Sequence, residues 1–299
     1  MMFSAFGLAI ESDVTLSVLL PSDSPQSDVD IVRGEVSPNG LKNPVVVRPR
    51  GQSAPSELWF EVPGVARFYV TDGQHICYEP EEDCDNQSLQ LYLLGSCMGA
   101  ILHQRGRIVL HGNALRSGDS AIVFAGVSGQ GKSTLAGAFF QRGYEVLADD
   151  LAAVDENFDV HPAYPQLKVW HDTANKLGIE STSLSRIRHQ IQKYAYPLEQ
   201  GFCQEKLPIK AIYILNSHNE DRVDIRRVSG MQKFSLLKEH TYRFGHLEGF
   251  GLMTQHLKLC AQLAGHVDVF EIYRPSSGFK LDELVETVER NLSREGVAA

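Results

Sequence analysis

Gly126, Gly131, Lys132 and Ser133 stand at the spacing G-x-x-x-x-G-K-[ST] inside GVSGQGKSTL. That pattern is a phosphate cradle. Glycines at 126, 129 and 131 permit the dihedrals that turn backbone N–H groups inward. Ser128, Gln130 and Thr134 complete the lining of the loop. A helix starting directly after the loop adds the positive end of its dipole. Lys132 is placed to reach the outer phosphates, and the Ser133 hydroxyl to hold Mg²⁺. ATP and Mg²⁺ are the ligands this chemistry implies. Only 16 residues after Ser133 come two adjacent carboxylates, Asp149 and Asp150. One would hold Mg²⁺, directly or through water, and the other would accept the proton of an attacking hydroxyl. An ordinary Asp, with a pKa near 3.9, is ionised and ready as a base at pH 7. A solvated strand end is the plainer reading of such a pair, and the neighbouring loop weighs against it. His111 sits in RIVLHGNAL, where a histidine by itself is more often structural.

The elements that must position these groups are legible. RIVLHG and SAIVFAG are continuous apolar strands of the kind buried on both faces of a sheet. A helix is predicted over Lys132–Gln141. YEVLADD, LAAVDE and FDVHP read as further strands, followed by AIYIL and VDIRRV. Helices are predicted over Met231–Glu239 and Gly249–Leu263, then the late strand HVDVFEIYR and the amphipathic helix LDELVETVERNL. In an open α/β sheet, ligands sit at the carboxyl ends of the strands. The loop, the acid pair and the His111 strand are therefore expected to converge at one sheet edge.

Ahead of this α/β part (residues 106–299) the chain is β-rich. AFGLAIES, VDIVRG, ELWFEV, ARFYVTD and QHICYEP are short strand-like runs between Pro, Gly, Ser and Asp clusters. The division is a β-rich domain over 1–85, a connecting helix over 86–105 centred on the apolar run Leu89–Leu102, and the α/β domain. There is no internal repeat. Ser181–Gln204 is polar, with Arg186, Arg188 and Lys193, and suits a mobile loop or a helical excursion.

Composition bounds the function. The 299 residues are 43% hydrophobic and 22% charged, as in ordinary globular proteins. A net charge of −9 argues against a general nucleic-acid binder but leaves a local phosphate site open. Five scattered cysteines suit reduced thiols rather than a disulfide framework or a zinc site. The N-terminus lacks the basic region of a signal peptide, and LYLLGSCMGAIL is too short to span a bilayer. A cytoplasmic protein without membrane or nucleic-acid partners is expected.

The line from Leu110 to Asp150 resembles the catalytic core of HPr kinase/phosphorylase. That family carries a His-Gly before its phosphate loop and an Asp-Asp after it, linked by an Arg-Gly turn. Here His111-Gly112, Gly126–Ser133, Arg142-Gly143 and Asp149-Asp150 follow in the same order. The resemblance implies an α/β, P-loop kinase core of the HPr kinase C-terminal type, beside a small β-rich N-terminal region. It implies Asp149 as general base toward a serine hydroxyl, His111 beside it tuning its protonation, Lys132 on the phosphates and Asp150 supporting the metal. HPr kinases form hexamers, so a homo-oligomer is implied as well.

The rest of the chain departs from that family. EKLPIKAIYIL stands where its second Gly-rich motif would be, and the first 105 residues differ. The opening FSAFGLAIESDVTLSVLLP instead looks like the start of HPr-kinase-related serine kinases, some of which phosphorylate a precursor peptide. The implied acceptor is a serine on a peptide or small protein. Two other classes stay open: a small-molecule kinase or carboxykinase-like enzyme, and a nucleotide-binding ATPase that transfers nothing. Arg243 is a candidate to neutralise transferred charge, with a surface arginine as the plainer reading. Lys168 and Trp170 fall on a predicted strand near the site, Trp170 reading as core. His240 and His246 show no metal-ligand spacing.

Overall fold

The computed structural model describes residues 1–170, 185–188, 191–278 and 280–296. The side chain of Trp170, residues 181–184, 189 and 190, and the side chains of Arg186, Arg188 and Lys193 lie outside the described residues.

The chain is a mixed α/β structure with several sheets. Nine strands form the first sheet: β1 (Met2–Ala5), β2 (Leu8–Ser12), β3 (Leu20–Pro21), β4 (Val29–Arg33), β5 (Val46–Arg48), β6 (Gly51–Ala54), β7 (Glu57–Val62), β8 (Ala66–Thr71) and β9 (His75–Pro80). Their order is β3-β1-β2-β4-β9-β8-β7-β6-β5, antiparallel except at β2–β4 and β4–β9. Period-2 sequence builds it. In β8, Ala66, Phe68 and Val70 are buried while Arg67, Tyr69 and Thr71 alternate with them half-buried. AFGLAIES, expected as one strand, is divided by a turn. Phe6 and Gly7 take φ of 56° and 69°, the paired left-handed conformation of a tight hairpin. A Cβ on Gly7 would lie 2.2 Å from His161 Nδ1, so only glycine lets the hairpin tip dock there.

The run across residues 89–102 is helical, as expected, but not uniform. It comprises α1 (Asn86–Tyr92), a π-helical turn at Leu93–Cys97 and α2 (Met98–Gln104). The Asp85 carboxylate caps α1 by accepting from the Ser88 amide at 2.8 Å. Leu93, Met98, Ile101 and Leu102 are fully buried. They belong to one continuous core with Phe68 and Ile76 on one side and Ile108, Val109 and Leu110 on the other. The helical stretch is thus interior to both regions.

The second sheet contains β10 (Ile108–Ser117), β11 (Ser120–Ala125), β12 (Val146–Ala148), β13 (Leu151–Val154), β14 (Asp159–His161), β18 (Leu207–His218), β19 (Asp224–Val228) and β20 (Asp268–Pro275). Only β11–β18 and β18–β20 are parallel. Five strands close on themselves: β11 pairs β10, β10 pairs β13, β13 pairs β14, β14 pairs β18 and β18 pairs β11. A smaller three-stranded sheet holds β15 (Gln166–Trp170), β16 (Ser185–Arg188) and β17 (Ile191–Pro197).

Both faces of β11 and β18 are covered. Ala121, Val123 and Ala125 join the core shared with the first sheet, while Ile122 and Phe124 face a second core with α3 (Lys132–Gln141). Ile212 and Ile214 alternate with Ala211, Tyr213 and Leu215 in the same way. Continuous apolar runs follow from this two-sided burial.

Among the described residues, the remaining helices are α4 (Met231–Glu239), α5 (His246–Gly249), α6 (Met253–His266) and α7 (Leu281–Gly296). The helix expected over Gly249–Leu263 begins instead at Met253. Gly251, with φ of 72°, breaks the chain between α5 and α6. No helix among the described residues is long and apolar enough to cross a membrane. All five cysteines are free thiols.

Candidate functional site

β10 is the axis of the site. At Gly112 it pairs with Ala125, the residue before the glycine-rich loop. From its other side the Gly112 amide donates to the Asp150 carbonyl at 3.2 Å. The loop and the acid pair therefore begin at the same level of the sheet, on strands flanking one shared neighbour. Two strand spacings separate them, on the order of 10 Å. A Cβ on Gly112 would lie 2.4 Å from the Phe124 carbonyl oxygen, so glycine is what allows this close approach.

The loop has the geometry its glycines predict. Gly126, Gly129 and Gly131 take φ of 148°, 88° and 98°. A Cβ on Gly126 would meet the Leu215 carbonyl at 2.9 Å, whereas nothing lies within 4 Å of one on Gly129. Gly131 caps α3, whose first residues are Lys132, Ser133 and Thr134. Val127, Ser128 and Gly129 are exposed, Ser133 and Thr134 half-buried and Lys132 buried. Lys132 Nζ donates to the carbonyls of Gly126 at 2.7 Å and Val127 at 3.3 Å. Gln130 Oε1 is buried without a hydrogen-bond partner. Arg274, at the end of β20, donates through Nε to the Gln130 carbonyl at 2.9 Å.

The two aspartates have different surroundings. Asp149 is 3% exposed. One of its oxygens accepts from Asn113 Nδ2 and the other from the Lys168 amide at 2.5 Å. Asp150, with 26% of its side chain exposed, pairs with Lys168 Nζ at 2.5 Å. β12 has ended at Ala148, and Asp150 takes φ of 70°. The rule that adjacent strand residues face opposite ways therefore no longer separates the pair. Burial disfavours the charge on Lys168, but Asp150, then Tyr164 and Asp149, outweigh it and hold the ammonium well above its ordinary pKa.

His111 Nδ1 donates to the Asp150 carbonyl at 3.2 Å, so its visible link to the pair runs through the backbone. Its amide donates to the His240 carbonyl at 2.8 Å, and its ring lies 5.9 Å from that of Tyr242. The 240–242 segment thus runs along β10 beside the site, with a bridge between Leu110 and Thr241. Burial pushes the His240 pKa down; Glu239 opposes this and the nearby Lys132 charge reinforces it. Arg243 lies over the Tyr242 ring at 5.5 Å, facing β5 and β6. Arg142 reaches away from the loop to Glu289 of α7 at 2.8 Å.

Gly126–Thr134, Asp149, Asp150, His111 and Lys168 are thus gathered around one end of β10 and β11. Asn113 and Arg274 escaped the sequence reading. Asn113 carried a signal: it lies two residues beyond His111 on the same strand, hence on the same face. Arg274 ends a strand whose carboxyl end borders the loop, a position favoured for ligand contacts.

No protein-family model matches this sequence, and no curated protein does either. Among solved structures, the chain is similar in outline to the Hpr(Ser) kinase/phosphatase from Coxiella burnetii. Identity is 15% and the TM-score 0.31, over 64% of this chain and 94% of that one. At that level the likeness transfers no residue roles.

Proposed function

We propose that the protein is a Mg-ATP-dependent kinase that transfers the γ-phosphate to a serine hydroxyl of a peptide or small protein. The observation that carries this reading is the position of Gly112, with the glycine-rich loop on one side of it and the acid pair on the other. Phosphoryl transfer needs a phosphate cradle, a cation site and a proton acceptor at one point, and this arrangement offers a candidate for each.

The residues fit the ligands. Gln130 Oε1 is a buried polar atom still lacking a partner within the loop. The Lys168 ammonium at 2.5 Å from Asp150 marks a point where that carboxylate takes a positive charge. Ser133 and Asp150 would hold Mg²⁺, which when bound would supply charge neutralisation for the phosphates. Gly126–Thr134 would cradle the triphosphate. Asp149, fixed by Asn113 and the Lys168 amide, would take the serine proton. As the serine Oγ–P bond forms, the proton passes to Asp149, the bond to the β-phosphate oxygen breaks and ADP leaves.

One observation favours a nucleotide-binding protein that transfers nothing. Lys132 bonds to carbonyls of its own loop, and Lys168 holds Asp150. ATP labelled at the γ-phosphate decides between them when incubated with serine-containing peptides, small alcohols and sugars. Label on peptide serine supports the proposal. Label found only on ATP or free phosphate rejects it, and label on a small alcohol moves the enzyme to another substrate class.

A further inference from the structure

Away from the acid pair, a cleft of about 270 Å³ opens between the first sheet and the segment around Arg243. Arg48, Arg50, Arg243 and His246 line it, and Glu61 is the single acid among its lining residues. None of the three arginines forms an ion pair with a carboxylate among the described residues, although the chain as a whole carries −9. His246 Nδ1 is buried without a partner. Its pKa is pushed down to about 3, first by burial and then by Arg243, His103 and Arg48, so the cleft already carries a positive field.

Its walls are fixed. A Cβ on Gly249 would lie 1.9 Å from Ser53 Oγ, and one on Gly245 2.3 Å from Arg48 Nη2. α5 therefore rests directly on β6 and the end of β5. Arg48 Nη2 also donates to the Gly245 carbonyl at 3.3 Å. Beside the cleft, β5 is an edge strand of the nine-stranded sheet, and Val45 just before it and Val47 within it are 61% and 66% exposed. An open edge with exposed apolar side chains is a template for an extended segment. Tyr242 connects the cleft to the site: Arg243 Nε donates to its hydroxyl at 3.2 Å, and its ring neighbours that of His111.

We propose that this cleft binds a carboxylate-bearing, extended stretch of the peptide acceptor, with Arg48, Arg50 and Arg243 pairing with its Asp or Glu side chains. This rests on the kinase reading above and names its substrate class: serine peptides with acidic residues near the acceptor. A free phosphate ion shares the anionic chemistry but needs neither an edge strand nor three arginines.

The test uses the full chain and two serine peptides, one with Asp and Glu flanking the serine and the other with Asn and Gln in their places. Fluorescence anisotropy without nucleotide reads binding, and labelled ATP reads transfer. The acidic peptide is expected to bind about tenfold or more tightly than its amide counterpart, with a difference that shrinks in salt. The double variant Arg48→Glu, Arg50→Glu is expected to abolish that preference and to favour a lysine-flanked peptide. Its ATP hydrolysis without acceptor should stay unchanged. Equal binding of the acidic and amide peptides, or a preference surviving in the double variant, overturns the cleft assignment. So does inorganic phosphate that displaces the acidic peptide at equal concentration. Charge-dependent binding with no transfer leaves the cleft standing and removes the kinase reading; transfer without charge dependence does the reverse.

Discussion

The two main sheets are covered differently. In the first, strands such as β8 bury every second residue and leave the others half-exposed. In the second, β11, β12 and β13 are buried nearly throughout, and β11 and β18 have a core on each face. A sheet enclosed on both faces holds its strands rigidly and confines chemistry to its ends, where the loop and the acid pair emerge. A sheet with an open face and open edges can meet another chain along its length. Under the two proposals above, reaction would belong to the second region and recognition to the first.

The largest test of this division is Asp149→Asn. Turnover should fall by about 10²–10⁴, the usual range for a lost proton acceptor, while nucleotide binding persists. Steady-state kinetics beside nucleotide titration checks it, and unchanged turnover would refute the base assignment. In the first sheet the expected loss is of stability instead. Phe68 is fully buried, stacked on Phe60 at 4.7 Å, and Phe68→Ala should cost about 3–5 kcal/mol in denaturant unfolding.

Acid should act at the seam between the regions. Burial holds His103 and His256 at pKa values of about 4. These lie below the unfolded value near 6.5, so the unfolded chain binds more protons in that window. Stability from these groups is complete above about pH 6.5 and falls as pH drops toward 4, by roughly 2 kcal/mol per histidine at pH 5. Unfolding at pH 7.5 and pH 5 measures it, and phenylalanine at both positions should remove their share of the dependence while that of His246, with its pKa near 3, remains.

Gly112→Ala is smaller in free energy, about 1–3 kcal/mol from the forced contact with the Phe124 carbonyl. It should still lower turnover, because the strands carrying the loop and the acids must move apart. The smallest effect belongs to Arg142→Ala. Its pairs with Glu289 and Asp282 are surface contacts worth less than about 1 kcal/mol, and thermal melting should barely move.

Much of the second sheet was legible because two-sided burial writes continuous apolar runs, as in AIVFA and AIYIL. The loop was legible because its backbone demands glycine at fixed positions. Tertiary packing could not be read this way. Nothing local in LKVW announces that the Lys168 ammonium will meet Asp150 and its amide Asp149. The Arg243 expectation shows the same limit. Its place beside β5 and β6 depends on a first-sheet hairpin nearly two hundred positions earlier in the chain. The break at Gly251 was missed for a related reason: helical periodicity continues across it, and only the left-handed backbone ends α5.

The closed circuit of β10, β11, β18, β14 and β13 has a mechanical consequence. Each strand is clamped by a neighbour on both sides, so none can slip in register without breaking two ladders at once. A ligand arriving at the site cannot pull the sheet into a new shape. Any rearrangement has to be absorbed by side chains and connecting segments such as the turn at Val127–Gln130, on an anvil that stays still.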